Sequence, residues 1–163
     1  MQSVYEQKVW LKHYQGLIPS EVKIPLQSVG NAFDEATDRW SKKTAVVFYG
    51  RKITFSELRN SVDRLANALF QLGIKKGDTI ALLLLNSPEF LISFYAAAKI
   101  GAVITPVSPV YVSDEIKHQL QDSGAENIIC LDILYETVAK TGMELKNIIL
   151  TCIKRWPHRP CKS

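Results

Sequence analysis

The residues of this 163-residue chain that could bind a metal ion are concentrated near its C-terminal end. Cys152, His158 and Cys161 lie close together in the sequence, and thiolate and imidazole groups are ligands that Zn²⁺ prefers. Their spacing matches no common zinc module, and no fourth ligand lies nearby. The sequence therefore predicts no zinc site. The other two histidines, His13 and His118, are isolated, and we expect His118 to be a half-exposed surface or packing residue.

The serine and acidic side chains offer no catalytic pair. Ser87 and Ser113 precede segments with helical features, and neither lies in the Gly-x-Ser-x-Gly turn that presents a nucleophile. Both are predicted to be helix caps. Asp114 and Glu115 are adjacent on a predicted helix, where neighbouring side chains do not face each other. Their predicted role is to favour the start of that helix.

The eight glycines form no nucleotide-binding motif. No two are close enough for a Gly-x-Gly-x-x-Gly turn, and no Gly-x-x-x-x-Gly-Lys phosphate loop occurs. Most follow apolar segments, where glycine ends a helix or forms a turn. They stand at positions 16, 30, 50, 73, 77, 101, 124 and 142. From the residues alone we predict no catalytic residue, no cofactor-binding residue and no metal ligand.

The elements that would position a site are organised around residues 79–109. Ile80–Leu85 is an unbroken apolar run, typical of a strand covered on both faces. Pro88 suits the first position of a helix, and Gly101 suits its end. Val103–Thr105 predicts a second strand, which a right-handed crossover makes parallel to the first.

The rest of the domain alternates helices and strands. Ser28 is predicted to cap a helix over residues 29–40, and Thr54 with Glu57 forms a capping box that begins a helix ending near Leu72. The apolar face of the first helix is predicted to contain Ala32, Phe33, Ala36 and Trp40; that of the second, Leu58, Val62, Leu65, Ala66, Leu69 and Leu72. Between them, residues 45–49 and 52–53 are predicted to pair across a Gly50-Arg51 turn.

The C-terminal half continues the alternation, which predicts a layered α/β fold with a mostly parallel sheet and helices on both faces. A helix that Ser113 caps and Gly124 ends is expected to turn Ile116 and Leu120 inward, and His118 is the third residue considered for this face. Further elements are predicted as a strand at 127–131, a helix at 133–140 and a strand at 147–151.

The composition is that of a soluble protein in the cytoplasm. Glu89 and Lys99 interrupt the central apolar stretch well short of the ~20 residues that span a membrane, so a membrane hairpin is disfavoured. The N-terminal residues include Glu6, Lys8 and Lys12 and lack the apolar core of a secretory signal. An odd number of cysteines, three, favours reduced thiols. We expect no transmembrane segment.

The composition also divides the chain into three parts: an irregular segment at 1–27, an α/β domain at 28–151, and a basic tail at 152–163. The net charge is +4, and four of the 20 basic residues lie in the tail, which has no acid. The other 16 basic residues balance the 16 acids. A nucleic-acid-binding domain spreads positive charge over one face of its fold, so no nucleic acid is predicted as a partner. The tail is expected to be disordered, with an origin such as a shifted reading frame or an artificial end.

Several short motifs occur in order along the chain: VWLKHY near the start, then ITFSEL, GIKKGD, NSPEF and GAVITPVSP. Together they resemble the N-terminal region of adenylate-forming acyl-CoA synthetases of the AMP-binding superfamily, and within it the chain is most similar to long-chain fatty-acid–CoA ligases. The resemblance covers about residues 8–151. Ser108 departs from the family, which usually has asparagine before the proline at this point.

The resemblance implies that the complete enzyme activates a fatty acid. Its carboxylate attacks the α-phosphate of ATP, with Mg²⁺ bound, to give an acyl-adenylate and pyrophosphate, and the thiol of CoA then displaces AMP. In the family, the phosphate loop, the acidic residues for ribose and metal, and the catalytic lysine lie beyond the end of this chain. The resemblance thus gives no residue here a catalytic or ligand-binding role, and implies that ATP, Mg²⁺ and CoA do not bind productively to this chain.

The resemblance also implies an incomplete portion of the family's N-terminal domain, whose sheets are completed by later strands. We therefore expect uncovered apolar side chains on the central strands, low stability, and an inactive, truncated ligase. A self-standing α/β module that binds a ligand or a partner is the alternative. A weak nucleic-acid binder acting through the basic tail is the third hypothesis.

Overall fold

The computed structural model describes residues 3, 5–14, 18–19 and 21–152. A 3₁₀ helix spans Val9–His13 and another spans Asp132–Leu134. The other elements, in chain order, are α1 (Val29–Arg39), β1 (Thr44–Phe48), β2 (Arg51–Thr54), α2 (Phe55–Gln71), β3 (Thr79–Leu83), α3 (Pro88–Ile100), β4 (Val103–Pro106), α4 (Ser113–Ser123), β5 (Asn127–Leu131), α5 (Tyr135–Ala139) and β6 (Asn147–Thr151).

Strands β3 to β6 form one parallel sheet in the order β4-β3-β5-β6. Thr79 pairs with Val103 and Ile80 with Asn127, so β3 lies between the two strands that follow it in the chain. Strands β1 and β2 form a separate antiparallel hairpin. The predicted βαβ unit and the parallel α/β fold are confirmed.

Two apolar cores, one on each face of the sheet, confirm the prediction of helices on both faces. The first core joins α1, α2 and α3 to the sheet through residues such as Phe33, Val62 and Ile80. The second joins α4 and α5 to the opposite face through Leu120 and Val138. Alternate residues of β3 and β5 enter the two cores, as expected for strands covered on both sides.

The expectation that the central strands are uncovered is wrong. Strand β5 is buried along its whole length, and β3 is buried after its first residue. The exposed apolar side chains belong instead to the outer strands: Ile148 and Leu150 of β6 are 40% and 50% exposed, and Val103 of β4 is 53% exposed. Helices α1 to α5 together cover the two inner strands and leave the side chains of the two outer strands partly exposed.

Two of the predicted helix caps are present. The hydroxyl of Ser28 accepts a hydrogen bond from the N–H of Asn31 (3.1 Å) at the start of α1. At the start of α2, Thr54 Oγ1 accepts from the N–H of Glu57 (3.2 Å), and the Glu57 carboxylate accepts from the N–H of Thr54 (2.8 Å). The capping box of α2 is therefore confirmed, with both backbone donors satisfied.

The caps predicted for Ser87 and Ser113 are wrong. Ser87 precedes α3 and Pro88 follows it as predicted, but the N–H of Phe90 donates to the carbonyl of Ser87 (3.1 Å) and not to its hydroxyl. Ser113 is already the first residue of α4. The start of α4 is stabilised by Glu115, whose carboxylate accepts from the N–H of Val112 (2.9 Å).

Three predicted orientations also differ from the structure. Trp40 and Leu72 lie at helix ends and are 39% and 50% exposed, and His118 is exposed on α4. The buried face of α1 includes Gly30, where a Cβ atom would lie 3.2 Å from the Cα of Lys99. Phe33 of the predicted face is buried as well, together with Thr37, whereas Ala32 and Ala36 are half-buried.

The hairpin turn lies one residue earlier than predicted. Tyr49 and Gly50 both have positive φ angles, 46° and 77°, and these two residues connect β1 to β2. Such a pair matches the twist of a two-residue hairpin turn. Arg51 is consequently the first residue of β2.

Candidate functional site

The carboxyl edge of the parallel sheet is the part of the fold where a ligand site is expected. In open α/β sheets, ligands bind where successive connections leave in opposite directions. Here the connection through α3 leaves β3 toward β4, and the connection through α5 leaves β5 toward β6 in the opposite direction. Asn86 and Ser87 follow β3, and Asp132 follows β5. These polar residues surround the switch point between the two inner strands.

A cleft of about 360 Å³ lies beside this edge, between α2, α3 and strand β6. Its apolar lining includes Ile92, Ile129 and Ile149. Its polar lining includes Arg64, which is exposed, and Glu89, which is 6% exposed in the first turn of α3. A second cleft of about 580 Å³ shares Arg64 and Ile92 with the first and continues toward the hairpin.

The chemistry of the cleft is limited by these side chains. An arginine stays protonated and cannot act as a general base. Among residues 21–152 and the described parts of the N-terminal segment, no three His, Cys, Asp or Glu side chains are placed to hold a metal ion. The described lining of the cleft therefore combines apolar side chains with one exposed arginine and one buried glutamate.

The residues considered as chemical candidates in the sequence are not brought together. Ser87 is 6% exposed, and its hydroxyl has no hydrogen-bond partner within the described part of the chain. His118 lies on α4 beside Asp114, Glu115 and Asp122, on the outside of the molecule. Cys152 is half-buried after β6. The predictions for His158, Cys161 and the rest of the tail from residue 153 lie outside the described residues.

A cluster of charged residues that sequence reasoning missed joins the three helices of the first core. Lys99 of α3 donates to Asp34 of α1 (2.8 Å) and to Asp63 of α2 (2.5 Å). Arg59 lies 3.8 Å from Asp34 and 3.7 Å from Asp63 and also pairs with Asp38. Only the Arg59–Asp63 pair has the i,i+4 spacing that a sequence can reveal.

The cluster is a structural clamp. Burial lowers the pKa of Lys99, but its hydrogen bonds to Asp34 and Asp63 and the attraction of these carboxylates outweigh burial, so the pKa is raised. A lysine that holds its proton more tightly than usual is a poor general base. Its role here is to fix α1 and α2 against α3.

Cys130 is the buried thiol of the inner strand β5. Burial first, and the negative charge of Asp132 second, raise the pKa of the Cys130 thiol to about 11. Since the thiolate is the reactive form of cysteine, we expect this residue to react slowly in the folded protein. It contributes packing to the second core.

The described elements thus define an α/β domain with a four-stranded parallel sheet whose outer strands are partly exposed. Comparison with known proteins gives the family. The AMP-binding enzyme family matches residues 33–159, and the chain belongs to this family.

Individual relatives agree with this assignment. The chain is 33% identical to a long-chain-fatty-acid–CoA ligase of Bacillus subtilis over 150 residues, which are 91% of this chain and 27% of that protein. A ligase of the same name from Salmonella typhimurium is 33% identical over 88% of this chain and 26% of its own length. The chain therefore spans about a quarter of the length of these relatives.

Solved structures place the fold in the same group. A Mycobacterium tuberculosis fatty acyl CoA synthetase matches 76% of this chain and 26% of its own chain with a TM-score of 0.71 and 27% identity. A long-chain-fatty-acid-CoA ligase from Archaeoglobus fulgidus has the same fold, with a TM-score of 0.76 at 23% identity over 80% of this chain and 28% of its own. The resemblance noted in the sequence is confirmed, and the structure corresponds to part of the N-terminal domain of these ligases.

Proposed function

We propose that this chain supplies framework to the N-terminal domain of an enzyme that activates a fatty acid with ATP and transfers it to CoA. The observation that carries the proposal is the 33% identity to a long-chain-fatty-acid–CoA ligase along 91% of the chain. The chemistry activates a carboxylate, which is a poor electrophile, by converting it into an acyl-adenylate with AMP as the leaving group. The substrates of the whole enzyme are then a fatty acid, ATP with Mg²⁺, and CoA.

The same proposal has a negative part: the 163-residue polypeptide does not catalyse either step alone. The described lining of the cleft at the carboxyl edge supports this negative part. Magnesium sites in nucleotide-binding enzymes use carboxylates together with phosphate oxygens, and Glu89 is the one carboxylate among the described residues that line the cleft beside β6. No glycine-rich loop among the described residues presents a row of backbone N–H groups to phosphate.

An exchange assay with two proteins tests both parts. The purified 163-residue chain is expected to give no ATP–pyrophosphate exchange with a long-chain fatty acid. A chimaera that joins residues 1–151 to the remainder of the Bacillus subtilis ligase is expected to give exchange and to form acyl-CoA. Exchange by the short chain refutes the negative part, and a folded chimaera without exchange refutes the framework role. A chimaera carrying Ile128→Asp in the inner strand is the matched inactive control.

The second candidate is a self-standing α/β module that binds a ligand or a partner without catalysis. The observation in its favour is that α1 to α5 of this chain cover both inner strands. The discriminating measurement is thermal unfolding of the purified chain. A sharp and reversible transition of a monomer favours the module, while an aggregating, irreversible transition favours a framework that needs the rest of its domain.

We further propose that the enzyme acts in the cytoplasm and that residues 28–151 are its folded unit. The buried free thiol of Cys130 is compatible with a reducing compartment. No helix in the described part of the chain is long and apolar enough to cross a membrane. Cell fractionation with an antibody to the chain tests the location, and limited proteolysis with mass spectrometry tests the boundaries of the unit.

A further inference from the structure

The segment that precedes α1, residues 21–27 (the arm), exposes three large apolar side chains. Val22, Ile24 and Leu26 are 75%, 80% and 105% exposed. Isolated exposed apolar residues are normal on protein surfaces, but three at alternate positions of one segment are not explained by this fold. Strand-type alternation with no covering layer indicates that the arm packs against another surface.

The backbone of the arm is suited to the edge of a sheet. In a strand, the N–H and C=O groups of alternate residues point to the same side, and their side chains share one face. Pro25 has no N–H. In a strand its backbone groups would point to the same side as those of Lys23 and Gln27. The N–H groups of Val22, Ile24 and Leu26 are therefore those that can pair, while the proline falls on the outer side that an edge strand leaves open.

The rest of the described chain does not provide the covering surface. The N–H of Gln27 donates to the carbonyl of Pro25 (3.0 Å), which makes a tight local turn at the end of the arm and is a contact within the arm itself. Glu21 pairs with Lys8 (3.2 Å), and this ion pair connects the arm only to the segment before it. The high exposure of the three apolar side chains shows that the helices and strands of residues 29–152 leave them uncovered.

The comparisons indicate what covers them. Alignment to the Bacillus subtilis ligase includes 91% of the 163 residues, so about 15 residues lie outside it, fewer than the 20 that precede the arm. The arm is thus inside the region shared with a relative of which this chain spans only 27%. About three quarters of that relative has no counterpart here.

From these observations we infer that the arm docks as an edge strand on the part of the N-terminal domain that follows this region in the full-length ligases. The inference rests on the proposed function, because the docking surface belongs to the remainder of such an enzyme. Val22, Ile24 and Leu26 enter the apolar face of that docking surface, and Lys23 and Gln27 remain on its solvent side. The arm then ties the start of the domain to a part that is distant in sequence.

The test compares one set of substitutions in two proteins. The triple variant Val22→Ser, Ile24→Ser, Leu26→Ser is made in the 163-residue chain and in the chimaera with the Bacillus subtilis remainder. In the short chain the melting temperature is expected to change by less than about 1 °C, because the three side chains are already in water. In the chimaera it is expected to fall by about 5 °C or more.

A double variant, Lys23→Ser with Gln27→Ser, is the matched control and is expected to leave both melting temperatures unchanged. A drop of equal size in both proteins would show that the arm packs on its own chain, and no drop in the chimaera would show that the arm is free. Either result overturns the inference. So does a concentration-dependent dimer that the triple variant converts to monomer, since a second copy would then hold the arm.

The outcome is separable from that of the proposed function, because the function is read from ATP–pyrophosphate exchange by the chimaera with its arm intact. If the chimaera is active and the triple variant leaves its melting temperature unchanged, this inference alone is overturned. An inactive chimaera whose melting temperature responds to it overturns the proposed function alone. A chimaera with no cooperative transition counts against both.

Discussion

Strands β5 and β6 begin with the same three residues, Asn-Ile-Ile, and lie side by side in one sheet. Asn127 pairs with Asn147, Ile128 with Ile148 and Ile129 with Ile149. Strand β5 is buried throughout, whereas β6 alternates between half-buried and exposed positions. The difference teaches that position in the sheet, and not the sequence of a strand, decides how much apolar surface it buries.

The asparagines at the start of the two strands show the same rule for polar groups. The side chain of Asn147 donates to that of Asn127 (2.7 Å), and Asn127 donates to the carbonyl of Thr79 (3.4 Å). Asn127 is 4% exposed, and its buried amide is satisfied from both neighbouring strands. Asn147 has a strand on one side only, so its amide also meets solvent.

The largest expected effect comes from truncating the same residue type in the two strands. Ile128→Ala is expected to lower the free energy of unfolding by about 3 kcal/mol, because Ile128 is fully buried and leaves a cavity. Ile148→Ala is expected to cost about 1 kcal/mol or less, since its side chain is 40% exposed. Urea unfolding followed by circular dichroism measures both. Equal costs would mean that β6 is covered in solution.

Cys130 in β5 and Cys152 directly after β6 give the second contrast between the two strands. At pH 8, a thiol whose pKa is about 11 is ionised to about one part in a thousand, and Cys130 is also buried. Iodoacetamide is expected to modify the half-buried Cys152 at least about 100-fold faster than Cys130, measured by peptide mass spectrometry. In urea the two rates are expected to converge. Comparable rates in the native protein would contradict the burial of β5.

Ion pairs sharpen the comparison between covered and uncovered regions. The Lys99 side chain is 20% exposed and holds two carboxylates, whereas Lys146, just before β6, is 67% exposed and pairs with Glu126. Lys99→Met is expected to destabilise the chain by about 1.5 kcal/mol, and Lys146→Met is expected to have a smaller effect. Thermal unfolding at low and high salt measures both.

The sign of the pH dependence follows from the raised pKa of Lys99. The stability that the protonated lysine contributes is fully present below its unfolded pKa, near 10.5, and is lost as the pH rises through the folded value. The difference between the wild-type chain and Lys99→Met should therefore be constant from pH 7 to pH 9 and shrink at higher pH. A difference that grows above pH 10 would show that the clamp does not hold the lysine protonated.

The smallest expected effect concerns the starts of α2 and α3. Thr54→Ala removes a cap that satisfies a backbone donor and is expected to cost about 1 kcal/mol. Ser87→Ala removes a buried hydroxyl that has no hydrogen-bond partner in the described residues, so no loss or a slight gain in stability is expected. Urea unfolding of both variants distinguishes them. A larger loss for Ser87→Ala would show that its hydroxyl caps α3 in solution.

The capping box of α2 also predicts that its contribution to stability is lost in acid. The hydrogen bond from the backbone N–H of Thr54, and that from its hydroxyl, lower the pKa of Glu57. The contribution of this carboxylate is present above its unfolded pKa, near 4.5, and is lost as the pH falls through the lowered value. The stability difference between the wild-type chain and Thr54→Ala should therefore narrow in acid, as measured by unfolding at pH 7 and at pH 3.

Local signals in the sequence predicted most of the elements. The capping box at Thr54, the cap at Ser28 and the glycine that ends α3 depend on residues no more than a few positions apart, and the structure confirms all three. Ser87 carries the same local signal as Ser28, but its backbone carbonyl takes the bond instead. Residue types alone do not reveal which of the two oxygens of Ser87 accepts this bond.

The sequence by itself determined the α/β alternation, the parallel pairing of β3 with β4, and the family, because apolar periods, caps and short motifs are local properties of the chain. Only the tertiary structure decided that β5 is an inner strand and β6 an outer one, that Lys99 holds Asp34 and Asp63 from two other helices, and that Val22, Ile24 and Leu26 are left uncovered. These features join residues far apart in the chain or depend on which surfaces the helices reach. The physical reason is that burial is set by what packs on a segment from elsewhere, and two segments beginning with the same residues can receive different neighbours.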